Sequence, residues 1–269
     1  MVKKVLVSSV ALATILSVVP ALAAPGNSGN VVNLPDTASQ KADVIFLGTA
    51  IDPTTGLVVE GYAILHPRNG HAKGGVPGKP GGGGGGSTCY AFMASGAKWK
   101  IVEPWVVNPA NSEGLSDSYV FNNLAGDIQK WENAAAFNII GAGMTTSTTL
   151  VADTISPDGV NEVYFADIDE SGVIGVTIVW GIFGGRPSGR MLVEWDQVYD
   201  DVSFDWSSAG EAGKMDFENI ATHELGHTVG MGHPDSSCIE ETMYAYASLG
   251  ETIKRTLNAG DIAGIQALY

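Results

Sequence analysis

The chain has 269 residues, of which 45% are hydrophobic and 16% charged, with a formal net charge of −15. That length and apolar content suffice for one substantial core. An acidic balance of this size argues against nucleic acid as a partner, because phosphate binding needs a basic surface, and equally against an anionic membrane surface.

Lys3 and Lys4, the uncharged and mostly apolar run 5–19, and Ala21-Leu22-Ala23 read as a signal peptide over residues 1–23. The competing reading is an uncleaved anchor, since the apolar run approaches spanning length. Cleavage removes two lysines, moves the formal charge from −15 to about −17, and makes the mature chain secreted or cell-surface. No later segment is long and apolar enough to span a bilayer. Residues 24–80 are rich in glycine, proline and asparagine and form a candidate pro-segment. Within them, 43–48 and 57–65 are strand-like and flank the turn signal Asp52-Pro53-Thr54-Thr55-Gly56. Such a β-ribbon is marginal alone and must pack on something. His66 and His71 stand beside Pro67, Arg68 and Gly70 in a polar connection and read as solvated. The glycines at 81–86 form a flexible linker, and residues 87–269 have the composition of a globular domain.

In that domain a strand is expected over 99–107 and an amphipathic helix over 119–137. Strands follow at 162–166, 173–183 and 191–198, with glycine-rich connections. A helix is expected over 215–229 with Asp216 as N-cap, and apolar residues at helical spacing fill 261–269. This order predicts an α/β (α+β) fold with a mixed sheet. Trp195 and Trp206 read as core aromatics. Asp167-Ile168-Asp169-Glu170-Ser171-Gly172 resembles the first half of a calcium loop; Ile178 stands where the loop needs a glutamate, so an acidic turn between strands competes with bound calcium. Cys89 and Cys238 fit a disulfide formed in an oxidising compartment.

The chemistry concentrates in His223-Glu224-Leu225-Gly226-His227-Thr228-Val229-Gly230-Met231-Gly232-His233. Residues four apart lie above one another on a helix, so His223 and His227 can offer both imidazoles to one metal ion. Gly230 permits a sharp turn that swings His233 round as third ligand. Three protein ligands leave a coordination position open, the mark of a catalytic zinc, and Glu224 lies beside that face as candidate general base.

That stretch resembles the long zinc signature of the metzincin metalloproteases. Glu241-Thr242-Met243-Tyr244 looks like their Met-turn, centred on Met243, and the run 216–222 and the ending 260–269 are similar to the matrixin branch. The resemblance covers the C-terminal third most specifically. It implies a metzincin-like catalytic domain that hydrolyses peptide bonds through a zinc-activated water, with a peptide or protein as substrate. It also implies that the substrate lies antiparallel to an edge strand, for which 174–180 is the candidate, with Ile174, Gly175, Val176 and Thr177 beside it and residues 244–247, including Tyr244 and Tyr246, as one pocket wall. The departures are specific. Pro234 follows the third histidine, Ala245 stands where some metzincins carry a tyrosine, and the gap to Met243 is long and contains Cys238. The histidine-rich structural zinc loop has no counterpart. Lys73-Gly74-Gly75-Val76-Pro77-Gly78 has glycine where a matrixin propeptide has its zinc-blocking cysteine. Cys89 could be read as that plug instead of a disulfide partner, but Tyr90-Ala91-Phe92-Met93 after it reads as folded domain. The competing function is a zinc-containing cell-surface binding module that catalyses nothing, and Glu224 speaks against it.

Overall fold

A computed structural model describes residues 30–35, 43–69 and 88–269; the expected signal peptide, the glycine linker and His71 lie outside the described residues. Alternating apolar residues build one mixed sheet. Its first two strands, β1 (Val44–Ile51) and β2 (Val58–Pro67), form the expected ribbon. The Asp52 carboxylate accepts from the Thr54 and Thr55 amides, and Gly56 takes φ +70°, which closes the turn between them. The remaining strands are β3 (Trp105–Val107), β4 (Gly143–Thr145), β5 (Asn161–Ile168), β6 (Val173–Ile182) and β7 (Met191–Asp200). Their order is β1-β2-β6-β7-β5-β3-β4, with Val31–Val32 joined parallel to β5. The β1-β2-β6-β7 half is antiparallel and the β7-β5-β3-β4 half parallel.

Three helices, α1 (Asp117–Ala135), α2 (Phe217–Thr228) and α3 (Ala259–Leu268), complete an α/β (α+β) architecture. Ser116 caps α1 by accepting from the Tyr119 amide, and Asp216 caps α2 by accepting from Asn219, as expected. The core splits across the sheet. On the helical side Leu124, Trp131, Phe165, Val179, Trp195, Tyr199, Phe217 and Leu225 pack together. On the other, Ile45, Val59, Ala63, Tyr164, Val176, Ile178, Trp180 and Val198 form a second cluster without helices. Trp195 and Trp206 are both in the helical-side core.

Three expectations change. Only 105–107 of the expected strand 99–107 is a strand. Trp99 instead donates its indole N–H to the Thr228 carbonyl at 2.7 Å, and Pro104 has no N–H to offer a ladder. The second helix begins at Phe217, because Met215–Asp216 pairs in parallel with Trp206–Ser207. Most consequentially, 174–180 is not a sheet edge: β6 is paired on both sides, by β7 and by β2. The ribbon has found its packing partner there.

Cys89 and Cys238 are joined, with Cα atoms 5.5 Å apart, which removes Cys89 as a free thiolate. The bridge ties the start of the domain, where Ala91–Phe92 pairs with Met231–Gly232, to the loop after His233. It closes a long loop, so replacing both cysteines by serine should cost on the order of 2–5 kcal/mol of stability. Thermal unfolding of the two proteins checks this, and unchanged midpoints would show that the bridge contributes nothing.

Candidate metal and catalytic site

The α2 helix is buried at every residue except Glu218. A helix so enclosed must partner each polar side chain it carries. His223 Nδ1 donates to the Thr242 carbonyl at 2.7 Å, and His227 Nδ1 to the Met231 carbonyl at 2.9 Å. With those N–H groups committed, both Nε2 lone pairs turn the other way. Gly230, at φ +98°, ends the helix and returns the chain so that His233 joins them. The three Nε2 atoms lie 3.2, 3.1 and 3.2 Å apart. Nitrogens bound 2.0–2.1 Å from one zinc ion, at angles of about 100°, would show such separations. Burial holds all three rings below the ordinary histidine pKa, and their mutual repulsion adds to this for His223 and His233, so they are neutral donors. The donor set therefore fits zinc.

Glu224 is fully buried beside them, and burial raises its carboxyl to about 7. Thr177 Oγ1 donates to its Oε2 at 2.6 Å. Gly175 lies under its other oxygen: a Cβ there would sit 3.3 Å from Glu224 Oε1. The Oε1 atom has a partner that the sequence did not suggest. His66, expected to be solvated, is fully buried with Nδ1 at 3.0 Å from Glu224 Oε1, and its ring stacks on His223 at 3.8 Å. Strand alternation explains the correction, since Tyr62, Ile64 and His66 all face the helices.

Beneath the triad, Met243 is fully buried against Gly226, where a Cβ would meet its Sδ at 2.1 Å. Asp261 of α3 accepts from the Thr242 and Met243 amides, and Glu241 accepts from the Gly260 and Asp261 amides in return. This reciprocal clamp holds the turn whose Thr242 carbonyl orients His223. Asp261 was visible only as part of a terminal helix, since a clamp between two loops leaves no periodic signal.

Of the expected substrate residues, Gly175 and Thr177 face Glu224, whereas the Ile174 and Val176 side chains belong to the two cores. Tyr244 and Tyr246 are half-buried and meet edge to face at 5.6 Å. The acidic turn 167–172 brings no three ligand groups together. Among the described residues the carboxylate cluster is Asp153, Glu194 and Asp196.

The family comparisons agree with this geometry. Residues 167–269 match the matrixin model of the M10 peptidases. Over those residues the chain is similar to the matrixins. It is 30% identical over 164 residues to metalloendoproteinase 2-MMP of Arabidopsis thaliana, covering 60% of this chain and 38% of that protein. It is 40% identical over 89 residues to matrilysin of Rattus norvegicus, covering 32% of each, and 41% over 73 residues to matrilysin of Homo sapiens, covering 26% of each. The chain thus spans less than two-fifths of the length of these relatives. No helix among the described residues is long and apolar enough to cross a membrane.

The packing of Met243 on Gly226 gives a test. Gly226→Ala should push the turn away, costing roughly 1–3 kcal/mol by overpacking and weakening zinc retention through the displaced Thr242 carbonyl. Thermal melts and metal content after dialysis check it; an alanine variant that matches the parent in both would show that the turn tolerates displacement.

Proposed function

We propose that this chain is a secreted zinc endopeptidase in which His223, His227 and His233 hold the metal and Glu224 is the general base. The observation that carries the reading is the convergence of three neutral imidazoles at 3.1–3.2 Å with a buried carboxylate alongside. Zinc bound there supplies a Lewis acid that polarises a carbonyl and acidifies water. Glu224 accepts the proton of the attacking water and returns it to the departing amine, a role suited to a carboxyl lifted towards neutrality by burial. Thr177 fixes one carboxylate oxygen, and His66 lies against the other. Secretion is supported by the leader-like residues 1–23 and by the Cys89–Cys238 bridge. A non-catalytic binding module would need neither Glu224 nor the threonine that orients it. Glu224→Ala should keep its zinc and its fold and lose more than about a hundredfold in peptide hydrolysis. Near-parental turnover with full zinc would exclude Glu224 as the base.

For calcium, weighed at 167–172 against a plain acidic turn, the better-supported place is Asp153, Glu194 and Asp196, whose ligand oxygens lie within 4.8 Å of one another. Glu194 Oε1 and Asp153 Oδ2 are buried without a hydrogen-bond partner, which marks a place where a hard cation would satisfy them. Added Ca²⁺ should raise the melting temperature by several degrees, and Glu194→Gln should abolish the response. An unchanged melt across millimolar Ca²⁺ would remove this site.

A further inference from the structure

His66 of β2 and Gly175 of β6 are direct partners across the sheet. The glycine leaves room for the Glu224 carboxylate, since a Cβ there would come within 3.3 Å of Oε1. The histidine on the neighbouring strand reaches that same oxygen, with Nδ1 at 3.0 Å. An ionised carboxylate only accepts, so the hydrogen between them sits on His66 Nδ1. Thr177, two residues along β6 from the glycine, donates to Oε2 at 2.6 Å. Two adjacent strands therefore supply one donor to each carboxylate oxygen.

The terminal torsion of a glutamate is broad, so a carboxylate held by one hydrogen bond still turns about it. A donor on the second oxygen fixes the plane. Each carboxylate oxygen accepts two hydrogen bonds, which leaves Oε1 a place for a proton donor besides His66. The His66 ring also lies against His223, with centroids 3.8 Å apart, so one side chain touches both the base and a metal ligand. Packing alone does not explain a histidine here. Its Nε2 is buried with no hydrogen-bond partner among the described residues, a cost that an apolar side chain would not incur. The hairpin that carries it is built into the fold, because Ile45, Val59 and Ala63 share a core with Val176, Ile178 and Trp180 of β6. With the hairpin in place, His227 and His233 still line a cavity of about 560 Å³.

We propose that His66 is a positioning residue for Glu224, acting from β2 together with Thr177, so that the hairpin is a working part of the site. The inference rests on the hydrolase reading for what Glu224 does, but not for how its carboxylate is held. A base that drifts out of line loses an interaction made in the transition state and leaves substrate binding as it was, so the loss falls on kcat.

The test uses the zinc-loaded chain without residues 1–23, compared with His66→Leu and His66→Asn. The leucine removes the donor, whereas the asparagine Nδ2 can take the place of the imidazole Nδ1. His66→Leu should lower kcat for peptide hydrolysis at least about tenfold with KM within about twofold, the scale of a misplaced catalytic group. His66→Asn should recover most of that loss. Zinc content and acetohydroxamate affinity should be alike in all three, since the metal ligands are untouched. In proton NMR of the parent, the His66 Nδ1 hydrogen should give a downfield resonance that is absent from His66→Leu and broadened by exchange in Glu224→Ala. Parental or higher kcat in His66→Leu with full zinc overturns the proposal. So does an equal loss in the leucine and asparagine variants, which makes His66 a packing residue, or a change confined to KM. If none of these proteins hydrolyses any peptide, the resonance decides. Present and sensitive to Glu224→Ala, it leaves the positioning standing while the hydrolase reading fails; absent, it overturns the positioning as well. Should His66→Leu not fold, His66→Phe, which keeps a ring and removes the donor, takes its place.

Discussion

A short helix enclosed on almost every side carries three buried ionisable groups, and the surrounding architecture satisfies them. The α2 helix presents His223, Glu224 and His227 to the interior, where an unpartnered polar atom costs on the order of 1–3 kcal/mol. Each partner comes from a different part of the chain: Thr242 and Met231 carbonyls for the histidines, Thr177 and His66 for the glutamate. Trp131 and Trp99 donate their indole N–H groups to the Thr222 and Thr228 carbonyls, which fixes the helix in rotation as well as position. Gln197 adds a hydrogen bond to Thr228 Oγ1, and Tyr199 in turn holds Gln197. The sheet, α1 and the loop after His233 therefore converge on one helix.

The loop system around Met243 applies the same economy. Asp261 lies in the first turn of α3, where it satisfies the Asn258 amide and two amides of the Met243 turn together. Glu241 is its mirror image, accepting from the amides that begin α3. Removing either carboxylate would strand backbone donors on both elements, so the helix start and the turn form one unit.

The parts of this site that were legible in the sequence are those encoded locally. His223 and His227 announce themselves by helical spacing, Asp216 by its place before an apolar run, and Gly230 by the positive φ that a returning chain needs. The ribbon 43–65 was legible too, from alternation about a turn, although its partner was not. His66 stands 158 positions from Glu224, and nothing local distinguishes it from a solvated histidine beside Pro67 and Arg68. Its role depends on the register of β2 against β6, in which a shift of one residue would send it to the opposite face. The expected strand at 99–104 failed for a comparable reason, because Trp99 donates its indole hydrogen bond to a helix far along the chain.

The seating of β1 and β2 also bears on how the molecule comes into being. The hairpin is encoded near the start of the chain, yet it docks on β6, which follows more than a hundred residues later. Synthesis runs from the N-terminus, so the hairpin exists before the strand it pairs with. Until then its long side is an unpaired β-edge, open to association with any extended chain nearby. Contacts of such sequence separation also slow folding, because loop-closure entropy must be met before the pairing is gained. The hairpin is made before the strand that completes its pairing.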